Sequence, residues 1–149
     1  MRIAIAADHA GFPLKQLAVD TARSEGHETT DLGTHDALQP VDYPDTARAA
    51  AEAIRAGGAD RAIIVCGSGA GVAIAASKFD GIRAAVAHDT YTAHQMVEHD
   101  DVNVLCLGGR VVGPALAEDV MRAFLKAEFS GEERHRRRLD KMKAIEELG

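Results

Sequence analysis

Short apolar runs alternate with longer amphipathic stretches along the whole chain. Arg2–Ala7, Glu28–Leu32, Arg61–Cys66, Ile82–Ala87 and Asn103–Leu107 read as strands. The stretches between them read as helices. Pro13 and Pro44 stand where a helix begins and a missing N–H costs little. Leu14, Leu17, Ala18, Thr21 and Ala22 follow helical spacing, and Gly26 and Gly57-Gly58 are suited to end helices. This alternation predicts βαβ units. The expected fold is α/β, a three-layer αβα sandwich around a five-stranded, mostly parallel Rossmann-like sheet, in one domain over residues 1–149. Gly33–Tyr43 reads as a long surface loop. Ser130-Gly131-Glu132-Glu133 fits the S-x-x-E capping box and predicts an extended C-terminal helix. Along it Leu139, Met142, Ile145 and Leu148 form a slanted apolar stripe, which lies either across a partner subunit or back on its own domain.

Composition narrows what this scaffold is used for. Hydrophobic residues make up 46% of the 149 and aromatics 4%, with no tryptophan, so alanine and valine do most of the packing. A core of that kind suits a polar ligand better than a greasy one. The formal charge of −6 argues against whole-molecule attraction to nucleic acid or an anionic membrane, so a bound anion needs a local basic site. No apolar run approaches the roughly 20 residues of a membrane span, and Met1-Arg2-Ile3 runs straight into a strand without a signal-like leader. A soluble, cytoplasmic protein is expected. Cys66 and Cys106 form no CxxC pair, so reduced thiols are expected in place of a disulfide framework or a zinc ribbon.

Parallel sheets bind ligands beyond the carboxyl ends of their strands, which turns the sequence into a short list. Asp8 and His9 follow the first strand, Cys66 and Gly67-Ser68-Gly69-Ala70-Gly71 the third, His88 and Asp89 the fourth, and Gly108-Gly109-Arg110 the fifth. The glycine turn lets main-chain N–H groups converge on an oxyanion or phosphate at the start of a helix. The same field favours thiolate over thiol at Cys66, giving a base beside an oxyanion hole. The alternative is a buried structural thiol next to a tight turn.

Familiar nucleotide signatures do not fit. Val72-Ala73 stand where a Walker A turn needs Lys and Ser or Thr, and Asp8-His9-Ala10-Gly11 lacks the dinucleotide glycine pattern. None of the seven histidines forms a recognisable metal-ligand set, so no metal or other cofactor is expected. His9 and His99 sit beside Asp8 and Asp100, as a proton-transfer histidine often does, while His27, His35 and His94 read as surface residues. Arg134 and Arg138 lie one helical turn apart and can grip a phosphate together. The alternative there is a solvated face neutralising Glu132 and Glu133. Aromatics that could stack on bases are absent from this cluster, which counts against nucleic acid.

Taken together, Asp8-His9-Ala10-Gly11, Asp42-Tyr43-Pro44, Cys66-Gly67-Ser68-Gly69-Ala70-Gly71, Asn103-Val104-Leu105 with Gly109-Arg110, and Arg134-His135-x-x-Arg138 strongly resemble the type B ribose-5-phosphate isomerase family, which includes galactose-6-phosphate isomerase subunits. The resemblance runs almost end to end. It implies aldose–ketose isomerisation of a phosphosugar, foremost ribose 5-phosphate, through an enediolate and without a metal. It also implies a homodimer whose active sites draw on both subunits, or a tetramer of such dimers. Cys66 resembles the base that moves a proton between C1 and C2; one branch of the family uses instead a glutamate at the place of Val72. Ser68 resembles the hydroxyl that shifts a proton between the substrate oxygens, and the amides of Gly67, Ser68, Gly69, Ala70 and Gly71 those that hold the enediolate. Asp8 and His99 resemble the ring-opening and positioning groups. His9, Arg110, Arg134 and Arg138 resemble the residues around phosphate and sugar, and Tyr43 a site-lining position. One departure is Asp100, where the family usually has asparagine, and it bears on which sugar is bound. Isomerases of four-carbon sugar phosphates or of allose or galactose 6-phosphate, a non-catalytic phosphosugar-binding protein, and a thiol hydrolase using Cys66 and His99 are the other readings.

Overall fold

The computed structural model describes residues Met1–Gly149. Strands β1 (Arg2–Ala7), β2 (Glu28–Asp31), β3 (Arg61–Cys66), β4 (Ala84–Val86) and β5 (Val104–Gly108) form one sheet in the order β2-β1-β3-β5-β4. Every pairing is parallel, so the sheet is wholly and not just mostly parallel. Parallel neighbours need crossovers, and helices supply them: α1 (Phe12–Ser24), α2 (Tyr43–Arg55), α3 (Ala70–Ala76) and α4 (Thr90–Asp100). Helix α5 (Pro114–Lys126) follows the last strand and α6 (Glu133–Glu146) closes the chain.

The two-residue period of the strands divides the core between the faces of the sheet. Ile3, Ile5, Ala7, Ile63, Val65, Leu105 and Leu107 pack with α1, α4 and α5, where Met121 and Phe124 are the bulkiest partners. Ala4, Ala6, Ala62, Ile64, Cys66 and Cys106 pack with α2 and α3. Ala47, Ala50 and Ala51 cover that second face, and such small side chains let α2 approach the sheet closely. No helix is long and apolar enough to cross a membrane.

Element ends differ from the sequence expectation for local reasons. Strand β4 starts at Ala84 because Asn103 occupies the ladder before it: its Oδ1 accepts the Arg83 N–H at 2.8 Å and its own N–H donates to Arg83 O at 3.0 Å. Asp31 ends β2, with Oδ1 accepting the Gly33 N–H and Oδ2 paired to buried Lys15, each at 2.9 Å. Tyr43 belongs to α2, so the preceding loop stops at Asp42. The expected capping box at Ser130 does not form. Glu132 caps α6 without a side-chain bond, and the Ser130 hydroxyl accepts the Glu132 N–H at 3.2 Å and bonds His135 Nδ1 at 2.5 Å. Met142, Ile145 and Leu148 of the apolar stripe are exposed, so the chain does not cover that stripe itself.

The end of β1 is held tightly against β3. A methyl group added at Gly11, the cap of α1, would lie 1.9 Å from Val65 O. Backbone cannot yield that far without moving α1 off the sheet. Gly11→Ala is therefore expected to cost more than about 3 kcal/mol, read as a large drop in calorimetric Tm; an unchanged Tm would contradict this packing.

Candidate active site

Because all strands run one way, their carboxyl ends meet along one edge of the sheet. Strand β3 ends there in Cys66 and the turn Gly67–Gly71. Gly69 has φ 84°, the left-handed region where a side chain is strained, and this directs its N–H onto Cys66 Sγ at 3.1 Å. The N–H groups of Gly67, Ser68 and Gly71 have no acceptor in the protein. The turn thus presents free main-chain donors beside a sulfur that already receives one, an arrangement that can hold a negatively charged oxygen next to the thiol. Ser68 Oγ accepts the Ala70 N–H at 3.2 Å, which leaves its own proton to donate. Cys106 plays no such part. It is fully buried, and burial pushes its thiol far above the ordinary range, with Cys66 adding to the shift.

Neighbouring elements frame this sulfur. The register Ala7↔Val65 sets Asp8 alongside Cys66, and buried Asp8 accepts the Gly11 N–H at 2.9 Å. His9 accepts the Val41 N–H at Nδ1 (3.2 Å), so the neutral ring carries its proton on Nε2 and the loop before α2 fixes its plane. The Tyr43 ring lies against the glycine turn; a methyl group at Gly71 would come within 2.7 Å of it. Arg110 reaches back over Gly67, its Nη1 3.7 Å from where a methyl group there would stand. His88, delivered by β4, accepts the Gly108 N–H at Nε2 (2.9 Å) and so braces the turn that carries Arg110. No group of three or more His, Cys, Asp or Glu side chains stands together as a metal site.

The structure therefore brings Asp8, His9, Tyr43, Cys66, Gly67, Ser68, Gly69, Ala70, Gly71 and Arg110 to one crevice, but not His99, Asp100, Arg134 or Arg138. The reason is the direction of α4. It starts beyond the carboxyl end of β4, capped by Asp89 Oδ1 accepting the Thr92 N–H at 2.7 Å, and runs back along the sheet for 11 residues, roughly 16 Å. Its last turn thus reaches the opposite edge, where the carbonyl of the next residue, Asp101, accepts from Arg83 Nε at 2.8 Å. Helix α6 packs on that same last turn, so Arg134 and Arg138 join His99 there, away from Cys66. Arg134 pairs with Glu132 at 3.0 Å, and Arg138 has no partner in its own chain. Asp100 is exposed and lines a concavity of about 1000 Å³ between α6 and the β4 edge, which includes none of the crevice residues.

Sequence reasoning gave His135 no role of its own, yet it is 1% exposed and stacks on His99, ring centroids 4.2 Å apart. Burial, then the neighbouring His99 and Arg134 charges, hold its imidazole below the usual histidine range. A histidine inside a run of arginines carries no periodicity signal that would announce this.

The Ribose/Galactose Isomerase family model matches residues 3–142. Over 146 residues the chain is 42% identical to ribose-5-phosphate isomerase B of Escherichia coli (strain K12), covering 98% of this chain and 97% of that protein. It is 41% identical over 131 residues to a D-erythrulose-4-phosphate isomerase of Pectobacterium atrosepticum, covering 88% and 86% respectively. The solved structure of Clostridium thermocellum ribose-5-phosphate isomerase B superposes with a TM-score of 0.95 at 47% identity, covering 99% of each chain.

Proposed function

The chain belongs to the ribose/galactose isomerase family and is a phosphosugar isomerase, and from that premise we propose that it interconverts ribose 5-phosphate and ribulose 5-phosphate with Cys66 as base. The observation that carries this reading is the Gly69 N–H on Cys66 Sγ beneath a turn whose remaining donors are free. As thiolate, Cys66 takes the proton from C2 of the open-chain aldose and the electron pair moves into a C1–C2 double bond. Negative charge then gathers on the substrate oxygens, where the amides of Gly67, Ser68 and Gly71 receive it. Ser68 passes a proton between those oxygens, and Cys66 returns its proton to C1. A positioned base supplies about 10²–10⁴-fold and each oxyanion donor about 10²–10³-fold, so the two together are needed.

The remaining groups come from a second copy. A phosphosugar in the crevice meets Asp8, His9 and Arg110 but neither His99 nor the Arg134/Arg138 pair. Those three lie together at the other sheet edge, next to an uncovered apolar stripe on α6. A homodimer that sets this edge against the partner's crevice supplies His99 to open the sugar ring, with Asp8 taking the anomeric proton, and the arginines to hold the phosphate. Such an enzyme works in the cytoplasm, where its thiol stays reduced.

The second reading concerns the sugar alone. Asp100 sits beside His99, exposed, and the Pectobacterium relative is named for a four-carbon substrate. Four-, five- and six-carbon aldose and ketose phosphates, incubated in deuterium oxide and followed by NMR, test both. The five-carbon pair is expected to interconvert fastest, with deuterium entering C1 or C2. Preference for the four-carbon pair would replace the substrate assignment, and binding without exchange would remove the catalytic one.

A further inference from the structure

Helix α6 has one buried residue, His135; apart from the half-buried Leu139 and Glu146, its remaining side chains are exposed. An apolar side chain would fill that hole at no polar cost, yet the chain places an imidazole there whose Nε2 has no hydrogen-bond partner. What the imidazole provides is a flat face. It lies on the His99 ring with an interplanar angle of 26°. Its other nitrogen is clamped by the Ser130 hydroxyl at 2.5 Å, and the Ser130 N–H donates at 2.9 Å to the carbonyl of Glu98, the residue before His99. Plate and clamp are thus fastened to the helical turn that carries the stacked ring. We propose that His135 is a positioning residue for His99, the fixed surface that holds the His99 imidazole in the orientation needed to donate a proton to the sugar ring oxygen. This rests on the reading of His99 as the ring-opening group.

The charges around the pair fit that role. Glu98 and His99 face His135 from α4, with Glu98 Oε1 3.6 Å from His99 Nε2, and Glu132, Arg134 and Arg138 surround it from α6 and its cap. Burial, then the His99 and Arg134 charges, lowers the His135 pKa and so favours its neutral ring, the form that stacks as a plain plate.

The test compares His135→Phe, which keeps a plane, with His135→Leu, which fills the space without one; both are first shown to be folded by circular dichroism. Two reactions are followed. Conversion of the cyclic aldose phosphate needs ring opening, whereas exchange of solvent deuterium into the acyclic ketose phosphate needs only the Cys66 step. His135→Leu is expected to lower kcat on the aldose about 10–100-fold, as a small misplacement of a catalytic group does. It should leave ketose exchange nearly unchanged, while His135→Phe recovers most of the aldose rate. In a His99→Ala background His135→Leu should cause no further loss. Wild-type aldose turnover in His135→Leu, equal losses in both reactions, or losses that multiply with His99→Ala would each overturn the proposal. No ketose exchange in the unsubstituted enzyme would overturn the reading of the reaction, and this proposal with it.

Discussion

Cys66→Ala is expected to lower kcat for aldose–ketose conversion by about 10³-fold or more while leaving the fold intact. The substitution removes one sulfur from a face of the core already packed by Ala4, Ala6, Ala62 and Val72. The stability cost is then about 1 kcal/mol, a Tm shift of roughly 3 °C. KM should change little, because the amides of the glycine turn and the guanidinium of Arg110 do not depend on the thiol. Cys106→Ala is the internal control. Its sulfur lies on the same side of the sheet, partnered across the ladder with Ile64, but burial keeps it a neutral thiol. That variant should retain near-wild-type turnover, and alkylation of the native enzyme should modify Cys66 and not Cys106. Appreciable isomerase activity in Cys66→Ala, measured by ketose formation, would move the proton-transfer role to another group.

Much of this site could be read before any coordinates, for reasons specific to parallel α/β chains. Apolar runs alternating with helical spacing fix the direction of every strand, and with it the edge where Asp8, His9, Cys66 and Arg110 emerge. The glycine turn was legible too, since a left-handed Gly69 and a Gly71 against the Tyr43 ring are roles that side chains larger than hydrogen resist. His99 is a different matter. A helix between parallel strands must run back along the sheet, so the length of α4 alone carries its last turn to the far edge. Resemblance lists His99 with Cys66; the geometry of one chain separates them.

The C-terminal region was the least legible. Ser130-Gly131-Glu132-Glu133 matches a capping box, but that pattern describes local competition for N–H groups and says nothing of a tertiary partner. His135 is that partner: it takes the Ser130 hydroxyl, and the helix begins without a side-chain cap. The charged residues around His135 conceal its burial, which depends on α4 lying beneath. Asp100 was singled out for its chemistry, and its place beside the α6 concavity follows from the same packing.

The separation of Cys66 from His99 makes the assembly of the site directly measurable. Cys66→Ala and His99→Ala are each expected to give nearly inactive homodimers. Co-expressed with different affinity tags, the two chains should form heterodimers with one site that carries both substitutions and one that carries neither. Equal expression and random pairing should restore about a quarter of wild-type activity to the mixture, and doubly tagged heterodimers should have about half. Restored turnover in the purified heterodimer is the predicted result; a heterodimer as inactive as its parents would contradict a site shared between two copies.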